Sequence, residues 1–260
     1  MNPQTRVAVI TGGAQGIGRS TAELFAERGW RVAIIDLRKP AETLSAIQAN
    51  GGEAFSYEGN ITDESTVQNF AAEVFSRYRR VDALVNNAGV SLIVPAEQTA
   101  VRDYRHVLEV NLVAPFLLAK VFGEAMLTAR SGVIVNVASI AGLTGIGDRA
   151  AYNASKHGLV GLTKTLAAEW GGRGVRVNAV CPGWVKTEMD EADQAGGSYS
   201  DADITGRVPM GRFASPNDIA RAILFLADEQ ESSFINGQAL AIDGGWTADG
   251  SWESLRRKKR

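Results

Sequence analysis

A short apolar run, followed at once by a glycine-rich segment and then by a helical pattern, most restricts what this chain can fold into. The apolar run covers residues 7–10 and the glycine-rich segment covers residues 11–18. A strand, a tight turn and a helix in this order direct backbone N–H groups and the positive helix end at one point, where a phosphate can bind. Gly12, Gly16 and Gly18 would let that phosphate approach the backbone. A plain tight turn that needs glycine dihedral angles is the alternative.

The alternation of strand and helix patterns continues along the rest of the chain. Apolar, β-branched runs recur between amphipathic helical patterns as far as residues 238–242. Strands that alternate with helices predict parallel strands joined by right-handed crossovers, and 260 residues suffice for one such domain. We therefore predict an α/β protein, a single-domain Rossmann fold with a doubly wound parallel sheet of about seven strands.

The second strand pattern, residues 32–35, ends in an acidic residue. This residue is Asp36, 18 positions after Gly18. An acid about 20 residues beyond the glycines accepts hydrogen bonds from the adenosine ribose and repels a 2′-phosphate, so it favours NAD over NADP. Arg38 complicates this prediction, because an arginine there could hold the phosphate. A strand-end turn is the structural alternative for Asp36.

A second group of polar residues follows a strand pattern in the middle of the chain. The run at residues 133–137 places Ser139 at the end of a buried strand, and Tyr152 and Lys156 stand at i and i+4 of the next helical pattern. An ammonium beside a phenol favours the phenolate, so we expect the pKa of Tyr152 to lie below its usual ~10. Such a tyrosine exchanges a proton with an alcohol or a carbonyl. Tyr-x-x-x-Lys alone is a weak signal, because many amphipathic helices contain it.

These motifs together resemble those of the short-chain dehydrogenase/reductase family. The likeness covers roughly Thr5 to Trp246, and the motifs occur in the family's order. They are Thr11-Gly12-x-x-x-Gly16-x-Gly18, Asn86-Asn87-Ala88-Gly89, Ser139 with Tyr152-x-x-x-Lys156, and Pro182-Gly183.

The resemblance implies four catalytic residues. Tyr152 would exchange the substrate proton, and Ser139 would hydrogen-bond the substrate oxygen. Lys156 would hold the nicotinamide ribose and keep Tyr152 acidic. Asn111 would hold a water that relays protons to Lys156; a buried asparagine that satisfies a kinked backbone near Pro115 is the alternative.

The resemblance also implies a nicotinamide dinucleotide as cofactor, NAD rather than NADP. The implied cofactor-binding residues are Gly12, Gln15, Gly16, Ile17, Gly18, Asp36, Asn60, Ile61, Asn87, Ala88, Gly89, Tyr152, Lys156, Pro182, Gly183, Val185 and Thr187. The family usually has aspartate in place of Asn60, so that contact to the adenine would be weaker here.

The implied reaction is hydride transfer between nicotinamide and a secondary alcohol or ketone. We expect an NAD-dependent dehydrogenase of a small polar molecule such as a sugar, polyol or hydroxy acid. Residues 188–209 are polar and lack apolar periodicity, so we expect an irregular, mobile lid. Leu92, Ile93 and Trp184 should form pocket walls with residues 140–149. Two alternatives stay open: an NADPH-type ketoreductase of acyl-carrier or lipid-like ketones, and a nucleotide-sensing binding protein.

Composition argues against several other classes of function. The net charge of −2 gives no reason to expect nucleic acid or a membrane surface as a partner. One cysteine, Cys181, and two histidines provide no basis for a disulfide framework or a metal site. No apolar run approaches the roughly 20 residues of a membrane span, and the N-terminus lacks the layout of a signal peptide. We therefore expect a cytoplasmic protein.

Two further expectations concern assembly and the C-terminus. Two long helical patterns carry apolar stripes beyond what one sheet face needs, and the resemblance implies a four-helix contact in a homodimer or homotetramer. We place the catalytic domain at residues 1–246. Residues 247–260 end in a basic run, which predicts a flexible, solvated tail.

Overall fold

The predicted parallel sheet is confirmed in a computed structural model that describes residues 5–197 and 199–256. Within these residues the strands are β1 (Val7–Thr11), β2 (Arg31–Asp36), β3 (Ala54–Glu58), β4 (Ala83–Asn86), β5 (Gly132–Val137), β6 (Val175–Pro182) and β7 (Ala239–Ile242). They pair in the order β3-β2-β1-β4-β5-β6-β7, and every pair is parallel. The order reverses between β1 and β4, and ligands bind outside the carboxyl ends of the strands at such a reversal.

Helices cover both faces of the sheet. They are α1 (Gly16–Glu27), α2 (Ala41–Ala49), α3 (Glu64–Tyr78), α4 (Val101–Leu108), α5 (Ala114–Ala129), α6 (Ala150–Trp170), α7 (Glu188–Ala195), α8 (Asp201–Arg207), α9 (Pro216–Ala227), α10 (Glu229–Ser232) and α11 (Glu253–Arg256). Successive strand residues point to opposite faces. In β1, Val9 packs in the core beneath α3, α5 and α6, whereas Ala8 and Ile10 pack beneath α1 and α9. The result is a single-domain Rossmann-like fold.

Helix starts follow the local sequence closely. Ser215 caps α9 in a capping box with Asp218, and Pro216 occupies the first turn, as the sequence predicts. The Asp63 carboxylate caps α3 by accepting the backbone N–H of Ser65 at 2.8 Å. These ends are fixed by residues within one turn, so local patterns identify them.

The long helical pattern around Asn111 is interrupted by one π turn. Residues Glu109–Val113 form this turn between α4 and α5. Pro115, in the first turn of α5, lacks the N–H that a continuous α-helix would use there. The structure therefore shows a widened turn at the predicted kink, and the turn buries Asn111 completely.

This helical stretch also corrects an expectation about apolar segments. Val101–Ala129 spans 29 residues and contains an 18-residue window with a mean hydropathy of 1.6, which is long and apolar enough to cross a membrane. However, Leu118, Phe122 and Met126 on its inner face are fully buried against the sheet layer. The inner side of this stretch therefore packs as a core helix, because the sheet layer covers it.

Residues 188–209 contain two short helices where the sequence predicts irregular structure. The Thr187 side chain caps α7, and Ser200 with Asp203 forms a capping box on α8. The Lys186 ammonium joins them by pairing with Asp190 at 3.2 Å and Asp201 at 2.7 Å. Polar caps and ion pairs, rather than an apolar stripe, hold these two helices. The sequence therefore shows no helical periodicity there, and the helices could not be recognised from it.

The segment after β7 is held against α8 by ion pairs. The Asp249 carboxylate pairs with Arg207 at 3.5 Å and with Arg256 at 3.2 Å. Residues 247–256 are thereby attached to α8, and the rest of the predicted tail, residues 257–260, lies outside the described residues.

Candidate active site

One cavity of about 380 Å³ opens at the carboxyl ends of the central strands. It brings together residues from segments far apart in the chain. Nearly every residue that the sequence predicts to bind cofactor or substrate lines it, and the exceptions are Gly18 and Asn111. Leu92 and Ile93, which we expected in the pocket wall, do not line it either.

The turn between β1 and α1 fits a pyrophosphate. Gly12 has a φ of +69°, and a Cβ there would lie 2.9 Å from Ala88 Cα. A Cβ on Gly18 would lie 1.9 Å from the Gly12 carbonyl oxygen, so Gly18 permits close packing rather than contact with a ligand. Gln15, the N-cap residue of α1, makes no side-chain hydrogen bond to the backbone N–H groups of the first turn, and that turn contains no acidic residue. These N–H groups are therefore left to bind an anion.

One end of the cavity holds Asp36 and Arg38, the two residues from which the sequence argues the choice between NAD and NADP. The Asp36 carboxylate accepts the backbone N–H of Ala14 at 2.9 Å and that of Arg38 at 3.1 Å. These bonds fix its position and leave further lone pairs for ribose hydroxyls. The Arg38 guanidinium donates to Gln15 Oε1 and lines the same cavity. Asn60 also lines it, with its Oδ1 accepting the Thr62 N–H at 3.0 Å.

The asparagine pair after β4 holds the floor of the site. Asn87 Nδ2 donates to the carbonyls of Thr11 and Gly12, both at 2.9 Å. Asn86 Nδ2 donates to Asn136 Oδ1 at 2.9 Å inside the sheet. Asn87 therefore ties the glycine-rich turn to β4 and also lines the cavity.

Tyr152 and Ser139 meet at the opposite end of the cavity. Burial raises the pKa of Tyr152, and the charge of Asp193 adds to this increase. A hydrogen bond with Ser139 and the charge of Arg149 act in the opposite direction. The net direction is opposite to the one that the sequence predicts. The reason is that desolvation outweighs the nearby positive charge.

Lys156 lies behind Tyr152 and is itself desolvated. Its side chain is buried, and Nζ donates to the Val137 carbonyl at 2.8 Å and lies 5.6 Å from the centre of the Tyr152 ring. Burial lowers the pKa of Lys156 to about 8. In this structure the cation that lowers the Tyr152 pKa is thus Arg149, and Lys156 remains available for the ribose contact that the resemblance implies.

Asn111 lies one layer deeper than the cavity surface. Its amide donates to the Val90 carbonyl and accepts the Val90 N–H, both at 2.9 Å, and it also donates to Ser155 Oγ at 3.1 Å. These bonds brace the segment after Gly89 against α6. The predicted water relay to Lys156 stays a prediction.

Comparison with known proteins agrees with this geometry. A family model described as enoyl-(acyl carrier protein) reductase, of the short-chain alcohol dehydrogenase type, matches residues 12–247. The chain belongs to the short-chain dehydrogenase/reductase family. It is 43% identical to D-threitol dehydrogenase of Mycolicibacterium smegmatis over 93% of each chain. It is 39% identical to the 3-oxoacyl-[acyl-carrier-protein] reductase FabG of Thermotoga maritima, over 94% of this chain and 99% of that one.

Solved structures of the family superpose closely on this chain. A putative NAD(P)-dependent gluconate 5-dehydrogenase from Beutenbergia cavernae, described with bound NADP at low occupancy, gives a TM-score of 0.88. It is 42% identical, and the match covers 95% of this chain and 98% of that one. The protein is therefore an NAD(P)-dependent oxidoreductase that interconverts an alcohol and a ketone.

Two residues of this short-chain dehydrogenase/reductase were missed by sequence reasoning. Arg149, in the expected wall segment, points into the cavity beside Tyr152, and Asp193 of α7 pairs with it. An arginine three positions before the tyrosine was the only visible signal. Nothing in the sequence indicated its partner, because the two residues are 44 positions apart.

Proposed function

We propose that this enzyme is an NAD-dependent dehydrogenase that oxidises a secondary hydroxyl of a small polar molecule such as a sugar, polyol or hydroxy acid. The observation that carries the proposal is that one cavity joins Asp36 at its adenosine end to Ser139 and Tyr152 at its other end. The cavity wall around Tyr152 includes the polar side chains of Arg149 and Asp193, which suit a substrate rich in hydroxyl groups. The threitol dehydrogenase relative supports the same substrate class.

The residues of the chain act on the proton and on the substrate oxygen. A bound nicotinamide supplies the hydride acceptor. Ser139 hydrogen-bonds the substrate oxygen and orients the hydroxyl toward Tyr152. Tyr152 Oη, as phenolate, takes the hydroxyl proton as the carbinol carbon is oxidised, and gives it back in the reverse direction. Lys156 would hold the nicotinamide ribose, and the charge of Arg149 opposes the burial that raises the pKa of Tyr152.

Asp36 supports NAD as the cofactor, and Arg38 is the counter-argument. The Asp36 carboxylate is held by two backbone N–H groups, so it cannot move away from a 2′-phosphate. An Arg38 side chain released from Gln15 would be the one group able to offset that repulsion. The NADP described in the gluconate 5-dehydrogenase structure supports NADP as the alternative cofactor.

A ketoreductase of acyl-carrier substrates is the second candidate. It is favoured by the likeness to FabG and by the description of the matching family model. A nucleotide-sensing protein is the third, and it is disfavoured because Ser139, Tyr152 and Lys156 are all present in one cavity. We also propose a cytoplasmic homo-oligomer, on the grounds of composition and of the exposed apolar helix face discussed below.

The test is to measure initial rates of NAD and NADP reduction with sugars, polyols and hydroxy acids. We expect kcat/KM to be higher for NAD, and Asp36→Ala to remove most of that preference. A wild-type preference for NADP would contradict the role of Asp36 and point to Arg38. Rates with acyl thioesters and NADPH only would favour the ketoreductase.

Tyr152→Phe is the matched control for the chemistry. We expect turnover to fall about 10²- to 10⁴-fold, because the general base is lost, while NADH binding measured by fluorescence persists. Unchanged turnover would reject the mechanism.

A further inference from the structure

A buried ion pair forms part of the cavity wall beside Tyr152. Arg149 Nη1 and Nη2 both donate to Asp193 Oδ2 at 3.1 Å. Ser91 Oγ accepts from Arg149 Nη1 at 2.9 Å and donates to Asp193 Oδ2 at 3.0 Å. The Arg149 and Asp193 side chains are only 8% and 16% exposed. We name these residues the Arg149–Asp193–Ser91 cluster.

The cluster lies next to the position where the substrate oxygen is held. The Arg149 guanidinium carbon is 5.9 Å from the centre of the Tyr152 ring and 5.5 Å from that of Trp184. Arg149 itself is held by its backbone, because its carbonyl accepts the Asn153 N–H at 2.7 Å and the residue bridges to Val94. A substrate whose hydroxyl reaches Tyr152 therefore has its neighbouring groups beside the pair.

The chemistry of the cluster suits an uncharged partner. Its two charges cancel, and all the hydrogen bonds described for Asp193 end on Oδ2, so Oδ1 is left to accept from a ligand. Arg149 supplies N–H donors in the same place. A hydroxyl group can both donate and accept, so it can bind to such a pair without separating it.

A carboxylate ligand, in contrast, could not bind to this pair without separating it. It would have to displace Asp193 from Arg149, and a carboxylate left in a desolvated site without its partner is strongly unfavourable. Asp190 lies on the same cavity wall and is already engaged by Lys186 and by the Tyr199 hydroxyl. Among the described residues, the other basic side chains that line this cavity are Lys156, which is buried, Arg38, which lies beside Asp36, and His106.

We infer that Arg149 and Asp193 bind the hydroxyl adjacent to the reacting one, so that the enzyme selects an uncharged vicinal diol of a polyol and rejects the corresponding hydroxy acid. This inference rests on the proposed function and narrows its substrate class. It makes the cluster the specificity-determining element of the pocket. Asp193 lies on α7 and Arg149 lies directly before α6, so the pocket is complete only when α7 contacts the start of α6.

The experiment compares threitol with threonate, which differ by a carboxylate at one end. We expect wild-type kcat/KM with NAD to be higher for threitol by roughly tenfold or more, as for the loss of a charged hydrogen bond. Asp193→Asn keeps the shape of the side chain and frees the charge of Arg149. It should move the threitol-to-threonate ratio toward threonate by roughly tenfold or more. Asp193→Ser carries the same prediction if the asparagine variant does not fold.

Asp201→Asn is the matched control, because this carboxylate belongs to the same polar segment but pairs with Lys186 at the surface, outside the cavity. It removes one negative charge and should leave the ratio unchanged. A wild-type preference for threonate, or an unchanged ratio in Asp193→Asn, would overturn the inference.

A binding measurement separates this inference from the proposed function. Titration calorimetry on the NADH-loaded protein should show threitol binding to the wild type and threonate binding to Asp193→Asn. If that holds but no NAD reduction occurs, the proposed function fails and the inference stands. If neither ligand binds to either protein, the inference is overturned. If threitol is oxidised with an unshifted ratio in the variant, only the inference fails.

Discussion

At the scale of single residues, Lys156 is a buried basic side chain whose burial disfavours its charged form. Its side chain is buried, its Nζ bonds only to the Val137 carbonyl among the contacts described, and burial lowers its pKa from 10.5 to about 8. Below pH 8 the ammonium is charged in both the folded and unfolded states, so the whole burial penalty is present. Above pH 8 the folded protein releases the proton while the unfolded chain keeps it up to about 10.5. The penalty therefore shrinks as pH rises through that window.

We predict that Lys156→Met abolishes turnover but stabilises the protein without cofactor. The penalty removed is roughly 3 kcal/mol at pH 7 by the energy per pKa unit, and the lost bond to Val137 offsets about 1 kcal/mol of it. Denaturant unfolding at pH 7 and pH 9.5 measures the gain, which should fall by about half or more at the higher pH.

Lys164→Met, on an exposed position of the same helix, is the control and should change stability little. A destabilised Lys156→Met variant with no pH dependence would show that the bond to Val137 matters more than the buried charge.

At the scale of elements, the π turn at Glu109–Val113 positions Asn111 to hold a neighbouring loop. Both polar groups of the Asn111 side chain bond to the backbone of Val90; Asn111 is fully buried and Val90 is partly buried. A shortened side chain would leave the N–H and the carbonyl of Val90 without partners. Each such group costs about 1–3 kcal/mol when buried.

We predict that Asn111→Ala lowers the free energy of unfolding by about 2–4 kcal/mol and reduces kcat, because Val90 and the adjoining Gly89 line the cofactor cavity. Asn50→Ala, an exposed asparagine at the end of α2, should cost less than about 0.5 kcal/mol. If Asn111→Ala kept full stability but lost kcat, the bracing role would be wrong and the water relay would gain support.

At the scale of the whole molecule, α5 and α6 expose an apolar face that a second copy can cover. Val113 is 43% exposed and Phe116 is 49% exposed. A groove beside them is lined by the apolar side chains of Phe116, Leu127, Leu166 and Trp170, with the charged side chains of Lys120, Glu124, Glu169 and Arg173 at the same groove. Large apolar side chains are seldom left exposed next to one another on a monomer. This surface is consistent with the four-helix contact that the sequence led us to expect.

We predict that Phe116→Glu lowers the oligomeric state, because a pair of opposed carboxylates cannot be buried in an apolar contact. Light scattering after size-exclusion chromatography gives the mass directly. Gln48→Glu, which adds the same charge at an exposed position on α2, should leave the mass unchanged. A wild-type monomer would contradict the assembly proposal.

The sequence alone was enough for the features that depend on neighbouring residues. The order of strands and helices, the glycine turn, and the cap at Ser215 all follow from patterns within one or two turns, whereas the cap of α3 was open between Thr62 and Asp63 until the structure showed Asp63. Asp36 and the Ser139, Tyr152 and Lys156 motif were also visible, because a strand end or one helical turn fixes their direction. Their meeting in one cavity follows from the parallel sheet itself.

The tertiary structure alone decided the features that depend on desolvation and on contacts between distant segments. Burial reversed the expected direction of the Tyr152 pKa shift, and no local pattern measures burial. The hydrogen bonds of Asn111 end on the backbone of Val90, which lies on another segment. The Arg149–Asp193 pair joins two loops across 44 positions. Sequence patterns determine what each segment forms, whereas the electrostatics of the pocket depend on which segments exclude water from one another.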